Sequence, residues 1–134
     1  MALQLSVAVR NARLDAIETT LGTAPRLIIF TGAPPANAAA ADTGSVLATI
    51  ILPSDWMAAA SNGTKAMSGT WSVAASGTGT AGHFRIKDSG LTATHIQGTI
   101  TATGGGGDMT LDNTSIAATQ TVTVSTFTLT DANA

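Results

Sequence analysis

Cysteine and tyrosine are both absent from this chain of 134 residues. Without cysteine there can be no disulfide, no thiolate zinc site and no thiol nucleophile. Charge is scarce as well. Only 10% of the residues are Asp, Glu, Lys or Arg, against about 25% in an ordinary soluble domain. The basic residues Arg10, Arg13, Arg26, Lys65, Arg85 and Lys87 lie scattered, and the net charge is -2. No cluster of cations is available to neutralise phosphates, so neither nucleic acid nor an anionic membrane surface is expected as a partner. No window approaches the run of about 18 apolar residues that reads as a membrane span. Met1–Leu5 lacks the basic stretch and long apolar run of a secretory signal, so the chain is expected to be made and folded in a cytoplasm.

What fills the chain instead is Thr, Ala, Gly and Ser. Thr is β-branched and favours the pleated surface of a strand. A Thr-rich surface with few charges is weakly hydrated and suits packing against neighbours.

One segment reads as a helix. Val7, Arg10, Leu14, Ile17 and Leu21 recur at steps of three and four, which marks one helical face. Ser6 is placed to cap its start and Gly22 to end it. Beyond Pro25 the pattern changes to short β runs. Arg26–Thr31 is apolar on both faces, which predicts a central strand. Val46–Leu52, Thr70–Ala74, His83–Lys87, Thr94–Thr101, Met109–Asp112 and Gln120–Thr130 follow as further strands. Gly98 suggests a bulge, and so does the change of phase between Val124 and Phe127. Residues 54–68 read as an excursion with a turn at Asn62-Gly63, and Gly104–Gly107 as a loop or tether. One helix and about seven short strands predict a mostly β protein: an antiparallel β-sandwich or jelly-roll-like domain with one N-terminal α-helix. The expected organisation is a single domain over residues 1–134, helical over 1–22 and a β-sandwich over 23–134.

Chemical motifs are few. His83 and His95 fall on predicted strands and could meet if those strands pair, but no third ligand accompanies them. The glycine run before Asp108 has no Lys-Ser/Thr ending and no helix after it, so it is not a phosphate cradle. No serine occupies a GxSxG elbow. Asp55 beside Trp56 has the make-up of a sugar-stacking pair, although aromatic residues are too few for a typical lectin. The two sequons, at Asn62 and Asn113, read as turns. No enzymatic activity, cofactor or metal is expected.

Several stretches together resemble small structural proteins of tailed phages and prophages: Leu14–Glu18 with Leu21–Pro25, Leu27–Gly32, Ala41–Gly44, Leu47–Ile50 and Leu52–Met57. Gly69–Trp71, Ala81–Arg85 and Gly107–Asn113 extend the likeness over nearly the whole chain. The resemblance implies a virion component, and among these a capsid decoration (cement) protein on the outer surface of the major capsid protein lattice. Such a chain would be synthesised in the host cytoplasm and act as a homo-oligomer, dimer or trimer, on the capsid exterior. A tail or neck protein and a displayed host- or glycan-binding module are the alternatives. Leu14, Ile17, Leu21, Trp56 and Trp71 are the candidate interface residues. The helix either docks the protein on its partner or covers an open face of the sandwich.

Overall fold

The computed structural model describes residues 2–133. Helix α1 spans Val7–Leu21. The Ser6 hydroxyl accepts from the Val9 N–H, and Gly22, at φ 77°, donates its N–H to the Glu18 carbonyl. Both ends therefore match the caps read from sequence.

Nine strands follow: β1 (Arg26–Thr31), β2 (Val46–Ile51), β3 (Thr64–Ala66), β4 (Ser72–Ala74), β5 (Gly79–Lys87), β6 (Thr94–Ala102), β7 (Met109–Leu111), β8 (Ser115–Ile116) and β9 (Thr121–Thr130). They form one curled sheet in the order β2-β1-β5-β6-β7-β9-β3, with β4 also on β9 and β8 on β5. The fold is mostly β and sandwich-like, with a single N-terminal helix among the described residues. β1 lies between β2 and β5, as its two apolar faces require. β3 and β8 escape the sequence pattern because three and two residues are too few to show a period.

One pair departs from the expected antiparallel pattern. β6 and β7 run parallel, with Ile100 opposite Met109. A parallel pair normally needs a crossover of a dozen or more residues, yet here only residues 103–108 intervene. The glycine run makes this return possible. Gly104 and Gly106 take φ values of 84° and 82°, which side chains rarely tolerate. Gly107 donates to the Thr101 hydroxyl at 3.0 Å. The run lies in a loop, as predicted, but it is folded back on β6 and is not a tether.

The two bulge predictions fare differently. Thr110 faces Thr126 and Leu111 faces Val124, so Ser125 is an extra residue in β9. That is the phase change seen between Val124 and Phe127. Gly98 is not bulged: it pairs regularly with Phe84, and the break between β5 and β6 falls beside His95. Gly98 is small for another reason. A Cβ there would lie 2.9 Å from the Asp108 and Phe84 side chains.

The core fills the inside of the curl. Leu27, Ile29, Ile50, Phe84 and Ile86 from β1, β2 and β5 face Trp56, Trp71, Met109, Leu111, Val124 and Phe127. Trp71 links the aromatic residues, 6.1 Å from Trp56 and 5.7 Å from Phe127 between ring centres, and Phe127 meets Phe84 edge-on at 5.5 Å.

Candidate interaction surface

The charged residues are spent mainly on holding the fold. Lys65 sits on β3 with its side chain 2% exposed, where an unpaired ammonium would be strongly disfavoured. Its Nζ lies 2.6 Å from Asp15 Oδ1 and 2.8 Å from Glu18 Oε2, and donates to the Ala58 carbonyl at 2.9 Å. Asp15 and Glu18 are three apart on α1, so one helical face presents both carboxylates to one cation. Burial opposes the Lys65 charge, but the bonds to Asp15 and Glu18 outweigh it and raise the lysine above its ordinary value. The same Lys65 bond, helped by the Ala60 N–H, lowers the Asp15 carboxyl. Asn11 accepts from the Gly63 N–H, and Arg10 and Arg13 bind Asp131. The helix is thus clasped by polar contacts as much as by apolar ones.

A second cluster pins the loop between β1 and β2. His83, Arg85 and Lys87 alternate on β5, so they share the face opposite Phe84 and Ile86. Residues 33–42 fold over that polar face and leave His83 and Arg85 buried. Arg85 binds Asp42 at 2.5 Å and the Ala38 carbonyl at 2.7 Å, and Lys87 binds the other Asp42 oxygen at 2.8 Å. Burial works against the Asp42 charge, yet bonds from Lys87 and Arg85 hold its carboxyl below the ordinary range. Gln97, opposite Arg85 on β6, donates to the Pro35 carbonyl at 2.8 Å. His83 stacks on Phe30 at 5.0 Å and its Nδ1 meets the Gly32 carbonyl at 2.9 Å.

The two histidines do not meet. His83 stands opposite Thr99, four residues along β6 from His95. His95 is 3.9 Å from Asp88 instead. No cluster of three or more metal-ligating side chains occurs among the described residues. The Asp55-Trp56 pair is split, with Asp55 exposed and Trp56 fully buried. Asn62 and Asn113 both lie in turns, and Asn113 accepts from the Ser115 N–H.

The candidate interface residues lie mostly inside this chain. Trp56 and Trp71 are fully buried, and their indole N–H groups donate to the Gly22 and Ser68 carbonyls. Leu14 and Leu21 are buried as well, beneath the helix. Of the five only Ile17 keeps part of its surface. Helix spacing and aromatic content identify residues that leave water, but not whether the cover is this chain or another. The large apolar side chains that do face outward are Leu3, Val7 and Val9 at the start of the chain, Val46 and Ile51 on β2, and Leu91 in a turn. Val7, the first residue of the helical face read from the sequence, is among them, 43% exposed at the start of α1, where the helix has not yet reached the core.

No protein-family model, curated protein or solved structure matches this chain.

Proposed function

We propose that the chain is a structural component of a tailed-phage virion, a capsid decoration protein that binds the outer surface of the major capsid protein lattice and strengthens the head. The carrying observation is where the charge goes. All six basic residues are held within the chain: Arg10 and Arg13 by Asp131, Arg26 by the Ser89 carbonyl, Lys65 by Asp15 and Glu18, Arg85 and Lys87 by Asp42. What remains outside is largely Thr, Ser, Ala and Gly. Such a surface loses little hydration when packed, and many weak contacts repeated over a lattice add up as avidity. The likeness to small phage proteins points the same way.

The reading assigns no catalysis, cofactor or metal to the chain, and the major capsid protein is its partner, with a homo-oligomer as the bound form. A tail or neck protein would share these properties at far lower copy number. A displayed glycan-binding module loses ground, because the two tryptophans it would use are interior. The test is the number of copies in purified virions, by quantitative mass spectrometry against the major capsid protein. A ratio near one, or a simple fraction of it, is the expected result. A handful of copies would mean a tail or neck part, and absence from the particle would overturn the structural reading.

A further inference from the structure

We infer that the outer edge of β2 is a self-association surface, on which a second copy of this chain pairs its own β2 antiparallel about a two-fold axis at Ile51. The inference does not depend on where the protein acts.

β2 is the end strand of the sheet. Leu52 N–H bonds the Pro25 carbonyl opposite it, so Leu52, Ile50 and Ala48 turn their backbone groups toward β1. Thr49 and Ile51 therefore turn theirs away. Neither makes a backbone hydrogen bond on that side among the described residues. Both are exposed, Ile51 by 61%. An open row of donors and acceptors is a template for another strand.

The occupant follows from charge and from the frame. Thr43–Ser54 carries no charged residue, so two copies meet there without repulsion, and a charged strand finds nothing to pair with. Lysine, which commonly guards such edges, is absent from this one. Register is limited by neighbouring structure. The Leu47 carbonyl already accepts from Ser76 and Gly77 N–H groups, so the space beside Leu47 is taken. A two-fold axis at Ile50 would put Pro53 of the second copy in that space, and an axis at Thr49 would place the second copy's Ile51 there. An axis at Ile51 avoids both: it would set Asp55 of the second copy opposite Leu47, but the chain turns away at Ser54-Asp55 before it reaches that space. It pairs Ile51 with Ile51 through two hydrogen bonds and brings each Thr49 N–H to a Pro53 carbonyl. The contact is isologous and closes on itself, so it stops at a dimer.

The absence of native cysteine makes the test direct. Opposed residues of a hydrogen-bonded pair lie about 5.5 Å apart at Cα, within disulfide reach. Ile51→Cys should form an intermolecular disulfide under mild oxidation several-fold faster than Thr49→Cys or the control Leu91→Cys, whose site is 51% exposed against 61% for Ile51. Sedimentation of the unmodified chain should show a dimer that grows with concentration. Ile51→Lys, which sets lysine against lysine at the axis, should remain a monomer of unchanged circular dichroism. Equal cross-linking of the three cysteine variants would overturn the proposal, as would an Ile51→Lys variant that dimerises like the parent.

Discussion

Replacing Arg85 with Met should cost the fold about 3 kcal/mol. The substitution keeps the aliphatic bulk and removes the guanidinium. Arg85 is 1% exposed and holds Asp42 at 2.5 Å and the Ala38 carbonyl at 2.7 Å. Removing one member of a buried ion pair costs roughly 3–5 kcal/mol when the other charge is stranded. Asp42 is not fully stranded, because its side chain is 36% exposed and Lys87 remains bound to it. That places the loss at the low end of the range. For a domain of this size the melting temperature should fall by about 10 °C. Urea unfolding followed by tryptophan fluorescence is a suitable assay, since Trp56 and Trp71 are fully buried. The midpoint should drop with little change in slope. Arg85→Lys should lose about half as much, because an ammonium lacks the planar fork that reaches Asp42 and Ala38 together. An Arg85→Met variant within about 0.5 kcal/mol of the parent, the scale of ordinary surface changes, would refute the idea that this arginine clamps the β1–β2 loop.

Three further outcomes are expected. Stability should fall at both the acid and the alkaline end of the pH range. The lowered carboxyls of Asp15, Asp42 and Asp88 contribute above their ordinary 3.8 and lose that contribution as pH falls through their folded values, whereas Lys65 contributes below its ordinary 10.5 and loses it as pH rises through its raised value; urea midpoints across the pH range check this, and Asp15→Asn with Asp42→Asn should flatten the acid limb. Gly98→Ala should cost roughly 1–3 kcal/mol, because the added Cβ crowds Asp108 and Phe84 at 2.9 Å, while Gly90→Ala, whose nearest neighbour would be 3.6 Å away, should change the thermal midpoint little. Leu14→Asp should unfold the protein or nearly so, and Ile17→Asp should be milder, because Leu14 is buried and Ile17 only partly so; circular dichroism of the two variants separates them, and equal damage would mean that the helix face is misassigned.

The helix and the longer strands are legible in the sequence because each carries a period and a terminator. Ser6 and Gly22 bracket α1, and Val124 with Phe127 betrays the extra residue Ser125. What stays hidden depends on distant partners. Lys65 looks like one more scattered cation until α1 supplies Asp15 and Glu18. His83, Arg85 and Lys87 look like a wet face until the loop ending at Asp42 covers them. Gly98 signals a special backbone site, but a glycine that makes room for Asp108 reads the same as a glycine in a bulge. The tryptophans announce burial, not which molecule buries them. In the surface, the open groups of β2 are invisible to side-chain patterns because they belong to the backbone.

The position of β9 bears on how the chain reaches its fold. It pairs with β3, β4 and β7, and all three precede it in sequence. Until residues 121–130 are available, β3 and β4 have no ladder to join, β7 has only β6, and the half of the core around Trp71 has no floor. Closure is therefore a late, non-local event, of the kind that places folding in the range of milliseconds to seconds rather than microseconds. During that interval the neutral edge of β2 is exposed on an incomplete molecule. The rate at which β9 docks then sets how long growing chains remain open to mispairing, so substitutions in β9 should affect the yield of soluble protein more than their effect on final stability would suggest.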